Sequence, residues 1–201
     1  MISHNYLGRK VDDTEDILAR IRNVVYRGDF TLGAEVEEFE QACKTYLGAR
    51  RAVAVANATA ALELAFEYYR ETRRINLVYM PAFTFIATAN AAHHAGLDIS
   101  FVDIDFQTFQ MSPDTLLREI GQKDRAMVCP VLYGGFPRDV EPLEEAALHL
   151  KMPLLWDAAH AFGSAEPRWL RRVGSTSCPA VFSFYPSKNL TSGEGGLITT
   201  S

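Results

Sequence analysis

The run Phe182-Ser183-Phe184-Tyr185-Pro186-Ser187-Lys188-Asn189-Leu190, followed by Gly193-Glu194-Gly195-Gly196, sets one lysine just after an apolar stretch, in a turn of small residues. Desolvation disfavours an ammonium and lowers a lysine pKa. A neutral amine can attack a carbonyl and form a Schiff base. Taken alone, Lys188 reads equally well as a surface lysine following a strand, so its weight comes from three other segments. Ala56-Asn57-Ala58-Thr59-Ala60-Ala61-Leu62 leads a polar turn into an alanine-rich helix. Free backbone N–H groups and the positive dipole end of that helix suit a phosphate, and the Thr59 hydroxyl lies beside them. A plain N-cap by Asn57 accounts for the same residues.

Pro81-Ala82-Phe83-Thr84-Phe85 puts two aromatics after a strand, where a flat ring can stack. Core packing of both phenylalanines is the alternative. Trp156-Asp157-Ala158-Ala159-His160 ends an apolar strand on a carboxylate, which is costly without a partner. A protonated ring nitrogen would be such a partner, with small alanines leaving room for the ring and His160 bonding to it. A cap on a following helix, with His160 as a structural histidine, is the other reading. Ser183 would face a phosphate if its strand ends at the same rim. Thirty-one residues separate Asp157 from Lys188, room for one loop pair between two strands of one sheet. A phosphate site, a stacking aromatic, a carboxylate and an amine are together what pyridoxal phosphate requires.

The elements that must position these groups follow from hydrophobic spacing. Helices are expected over 13–26 and 34–47, the second closed by Gly48. From there strands and helices alternate: strands at 52–56, 77–80, 99–102, 126–131 and 153–156, helices at 58–69, 85–95, 113–120 and 140–150. Further strands are expected at 180–184 and from 196. The strands are short and apolar on both faces, as when helices cover both sides of a parallel sheet. The expected fold class is therefore α/β, a three-layer domain with a mainly parallel central sheet. Ligands of such sheets bind at the carboxyl ends of strands, where all four segments lie. Residues 1–32 read as an N-terminal helical arm and 33–201 as the cofactor-binding large domain.

Bulk composition narrows the class. The chain has 201 residues, 48% hydrophobic and 22% charged, as in a globular protein with one large core. A net charge of −5 with no basic block argues against nucleic acid or an anionic membrane surface as partner. No apolar run reaches the roughly 18 residues that would span a bilayer. The first residues lack the pattern of a signal peptide, so a cytoplasmic location is expected. Cys43, Cys129 and Cys178 are scattered and odd in number, which suggests neither a disulfide framework nor a metal site but buried or half-buried thiols.

With these motifs in place, the chain resembles the DegT/DnrJ/StrS sugar aminotransferases, a group of fold-type I pyridoxal-phosphate enzymes. The resemblance runs from Gly33-Ala34-Glu35-Val36-Glu37-Glu38-Phe39-Glu40 through Phe101-Val102-Asp103-Ile104-Asp105 to the Asp157 and Lys188 motifs. It implies that Lys188 is the Schiff-base lysine and proton carrier, that Asp157 pairs with the pyridine nitrogen and that Phe85 stacks on the ring. It further implies that Ala58 and Thr59 bind the phosphate with help from Ser183, and that His160 lies near the ring oxygen. The implied reaction is amination of a keto-sugar, carried on a nucleotide, with glutamate as amino donor, in a homodimer whose sites the partner chain completes. Ala58 stands where many relatives have Gly, and Tyr185 where many have His. Relatives continue into a small C-terminal domain, so the chain is expected to be a fragment, weakly active or inactive alone. A sugar dehydratase of the same family would replace the lysine with His, against Lys188. A non-catalytic or regulatory relative is the reading from a different class.

Overall fold

The structure, a computed structural model, describes residues 13–121, 124–165 and 172–200. Two helices come first, α1 (Thr14–Arg27) and α2 (Ala34–Leu47), each closed by a glycine in the left-handed region, Gly28 and Gly48. The alternating part follows as β1 (Arg51–Val55), α3 (Ala58–Arg73), β2 (Leu77–Pro81), α4 (Ile86–His94), β3 (Asp98–Val102), α5 (Pro113–Glu119), β4 (Ala126–Val128), α6 (Val140–His149), β5 (Trp156–Asp157), β6 (Ala180–Ser183) and β7 (Gly196–Thr200). Residues 1–12 of the expected N-terminal arm lie outside the described residues. Within α1 itself no residue is buried.

The strands run β1-β7-β6-β5 and β3-β2-β4. Parallel bridges Val128–Leu154 and Val131–Asp157 join the two groups into one seven-stranded layer. The regular pairing of β4 and β5 is shorter than the apolar runs 126–131 and 153–156, because Pro130 and Pro153 withdraw two donors from the ladder. Their carbonyls still accept, from Asp157 N and Val128 N. β7 pairs antiparallel with both β1 and β6; the other pairings are parallel. The sheet is thus mainly parallel, with one reversed strand inserted beside the lysine-bearing one.

Side-chain alternation makes the three layers visible. Val78, Met80, Met127, Cys129, Leu155 and Val181 face one core with α3 and α4. Their neighbours Tyr79, Val128, Leu154, Trp156, Ala180 and Phe182 face the other, with α2, α5 and α6. Each strand feeds both cores with period two, the pattern of a sheet covered on both sides. The expectation of two covered faces fails only at the edges. Val53 on β1 and Phe101 on β3 are 51% and 54% exposed. Edge strands have no further strand to carry the covering helices across them. Cys43 and Cys129 are buried and Cys178 half-buried, all free thiols.

One close approach fixes the relation of α3 to the sheet. Gly196, at the start of β7, pairs with Ser183 on β6. A Cβ on Gly196 would lie 2.4 Å from the carbonyl carbon of Asn57 and 2.8 Å from the backbone nitrogen of Ala58. Only glycine lets the start of α3 press against the sheet here. Gly196→Ala must therefore move backbone rather than a flexible side chain. The expected loss is about 1–3 kcal/mol of unfolding free energy, read from denaturant melts, with weakened binding of phosphate esters as the accompanying change.

Candidate active site

The carboxyl ends of β1, β2, β5 and β6 open onto one cavity of about 850 Å³. Ala58, Thr59, Phe85, Asp157, His160, Ser183 and Lys188, every site residue expected from the sequence, line it. A second cavity of about 700 Å³, bordered by Tyr69, Arg73, Glu144 and Cys178, contains none of them.

The N-cap reading of the first segment holds, and the amides a phosphate would need stand beside that cap. Asn57 is the N-cap of α3, its Oδ1 accepting from Ala60 N at 2.9 Å while its carbonyl accepts from Ala61 N. Ala58 and Thr59 are the first helical residues, whose amides have no intrahelical acceptor. No acidic residue stands in the first turn, as the dipole's preference for an anion requires, although Glu194 lines the same cavity. Ala58 is in the helix, where a Cβ costs nothing. Ser183, buried at the end of β6, accepts from Tyr185 N through Oγ at 3.3 Å and reaches the same cavity.

Phe85 is no core residue. It is the N-cap of α4, 68% exposed, in the wall of the cavity. Phe83 instead packs on Tyr133 at 4.5 Å and on Phe109 at 5.8 Å between ring centroids.

Asp157 is 5% exposed at the end of β5. Its Oδ2 accepts from Thr88 Oγ1 at 2.7 Å and its Oδ1 from Ala159 N at 3.1 Å. Hydrogen bonds to a charged acceptor contribute about 1.5–3 kcal/mol each. Burial pushes its carboxyl above the ordinary value; the Thr88 and Ala159 bonds and the charges of His160 and Lys188 pull the other way. Among the described residues, turns rather than a helix follow Asp157.

Lys188 lies in the turn after β6, its amide donating to Tyr185 O at 2.9 Å. Burial lowers its ammonium below the ordinary lysine value, against the opposing pull of Asp157. A larger share of neutral amine near neutral pH follows. His160 Nδ1 accepts from Gly134 N at 3.1 Å, which leaves the ring proton on Nε2. Burial first, then the Lys188 charge, lowers its pKa.

Three groups were not singled out by sequence. Thr88, fully buried one turn into α4, carries no motif beyond its spacing from Phe85. Asn189 Nδ2 donates to the carbonyls of His160 at 3.1 Å and Phe162 at 3.5 Å, tying the lysine turn to the Asp157 strand end. The Tyr133–Gly135 turn closes over His160: the Tyr133 and His160 rings stand 5.4 Å apart, and a Cβ on Gly135 would lie 2.2 Å from His160 O. Only the paired glycines at 134 and 135, both at positive φ, marked this loop in the sequence.

Residues 11–201 match the family model described as the DegT/DnrJ/EryC1/StrS aminotransferase family. The chain belongs to that family. 3-Amino-5-hydroxybenzoate synthase of Amycolatopsis mediterranei (strain S699) is 36% identical over 167 residues, 83% of this chain and 42% of that protein. Among solved structures, DesI in the presence of its TDP-sugar product superposes with a TM-score of 0.82 at 31% identity, over 94% of this chain and 47% of that one. NtdA from Bacillus subtilis, with bound cofactor PMP, superposes at 0.86 and 30% identity, over 99% and 45%. The chain thus spans less than half the length of these relatives. Its architecture is that of the large domain of fold-type I aminotransferases.

The raised Asp157 carboxyl has a consequence for stability. The folded state holds that proton more tightly than the unfolded chain does. Its contribution is full below the unfolded carboxylate value, about 3.9, and is lost as pH rises through the folded value. Asp157→Asn cannot ionise. The cofactor-free variant is expected to melt above the parent at neutral pH, with the two curves converging in acid, as thermal melts across pH would reveal.

Proposed function

We propose that the complete protein transfers an amino group onto a keto-sugar, carried on a nucleotide, with glutamate as amino donor, in amino-sugar biosynthesis. The cofactor is pyridoxal phosphate. The observation that carries the reading is the convergence of an anion-ready helix start, a buried carboxylate and a half-buried lysine on one cavity. The residues fit the group. Ala58, Thr59 and Ser183 would hold the phosphate, Phe85 would cover the ring, Asp157 would pair with the ring nitrogen and His160 would lie near the ring oxygen. When bound, the cofactor supplies an electron sink for the carbon that loses its proton.

The chain's own residues do the rest. Asp157, held at both oxygens, would keep a proton on the ring nitrogen. Lys188 would hold the cofactor through its Nζ, and its amine would carry a proton as general base and then general acid. The positive end of α3 would anchor the phosphate, so that binding energy remote from the reacting carbon would help orient it.

A nucleotide-linked substrate is supported by DesI, solved with a TDP-sugar product. The name of 3-amino-5-hydroxybenzoate synthase widens the relatives' products to an aminated benzoate. A second copy of the chain would complete the site, which agrees with Phe85, in the cavity wall, and its neighbour Ile86 standing 68% and 62% exposed. The division at residue 32, into a helical arm and a cofactor-binding domain, suits a helix that buries none of its residues. Among the described residues no helix is long and apolar enough to cross a membrane, which agrees with a cytoplasmic place.

Borohydride treatment of the complete polypeptide loaded with pyridoxal phosphate should add the reduced cofactor to the peptide containing Lys188. Lys188→Ala should lose that adduct and the visible absorbance band, with turnover of a nucleotide-linked keto-sugar and glutamate lower by at least about 10²–10⁴-fold. A labelled peptide other than the Lys188 one would reject the assignment.

A further inference from the structure

Asp157 ends a chain of two threonine hydroxyls. Thr84, just before the N-cap Phe85, and Thr88, in the first turn of α4, are four residues apart. Their Oγ1 atoms are 2.7 Å apart, and Thr88 Oγ1 lies 2.7 Å from Asp157 Oδ2. The carbonyl of Phe85 is the third neighbour, 3.2 Å from Thr88 Oγ1. Thr88 has one hydroxyl proton, and an ionised carboxylate can only accept. With its proton given to an ionised Asp157, Thr88 accepts from Thr84, whose hydroxyl also lies 3.4 Å from the Phe85 carbonyl. Each link is worth more when the terminal acceptor is charged.

We propose that Thr88 is the positioning residue of Asp157, with Thr84 fixing the direction of its hydroxyl. Through this chain the first turn of α4 sets the ring-covering Phe85 and the carboxylate as one unit. The inference rests on the cofactor reading above only for its purpose; the hydroxyl chain itself is a property of the cofactor-free protein. The titratable groups that face Asp157 are Cys129, His160 and Lys188.

The test uses the complete polypeptide. Difference infrared spectra of the cofactor-free protein, with Asp157→Asn as the assignment control, give the protonation midpoint of the Asp157 carboxyl. Thr88→Val is expected to raise it by about one unit, a tenfold change in proton affinity. Thr88→Ser, which restores a hydroxyl, should return it to the parent value, and Thr84→Val should raise it by less. The dissociation constant for pyridoxamine phosphate should rise about tenfold in Thr88→Val and less than threefold in Thr88→Ser. An unchanged midpoint in Thr88→Val, or a Thr88→Ser variant as shifted as Thr88→Val, overturns the proposal. If Thr88→Val does not fold, Thr84→Val decides: an unshifted midpoint there overturns it. Parent protein that takes up no pyridoxamine phosphate would sink the cofactor reading instead, while the infrared midpoints still judge the hydroxyl chain.

Discussion

A carboxylate removed from water at the end of an internal strand is the constraint around which this molecule is arranged. Asp157 sits on β5, in the middle of a seven-stranded layer, with cores on both sides. Burial of an uncompensated charge is among the costliest things a fold can do. The structure answers with donors from two directions, the Thr88 hydroxyl from α4 and the Ala159 amide from its own turn. Those bonds offset the burial without abolishing it, and the carboxyl stays above its ordinary value. A site of this kind gains from a cationic partner, which is what a protonated pyridine nitrogen provides.

The other groups are placed by the same sheet through different means. Lys188 follows β6, the parallel neighbour of β5, so the amine and the carboxylate emerge at the same rim. Asn189 then ties the lysine turn to the carbonyls after Asp157. The N-terminal end of α3 is brought in by β7, whose Gly196 lets a helix terminus and a strand touch. The reversed strand thus spaces β1 away from β6 while keeping the start of α3 beside Ser183. Closing the Tyr133–Gly135 turn over His160 again depends on a missing side chain. The cavity is held open by polar clamps and glycine contacts rather than by bulk.

Stability and function pull against each other at this rim. Lys188, His160 and Asp157 are each shifted in the direction that burial dictates, and each shift costs the cofactor-free fold something. Strained ionisation at a cavity lined by an anion-ready helix end is the mark of a site kept for chemistry.

Much of this was legible in the sequence because it depends on local order. Hydrophobic period and turn residues located the strands and helices to within a few residues. The motif residues all came to one cavity because each follows a strand, and parallel strands end together. Four segments taken together, not any one motif alone, pointed to the cofactor that the family uses. What the sequence did not contain was contact between distant segments. Thr88 and Asp157 are 69 residues apart, and a threonine inside a helix carries no sign of which buried charge it will meet. The direction of β7, the need for glycine at 196 and the exposure of Val53 and Phe101 at the sheet edges were likewise settled only by packing. Local propensity can specify an element and its ends, but hydrogen bonds between elements exist only once the sheet has brought them together.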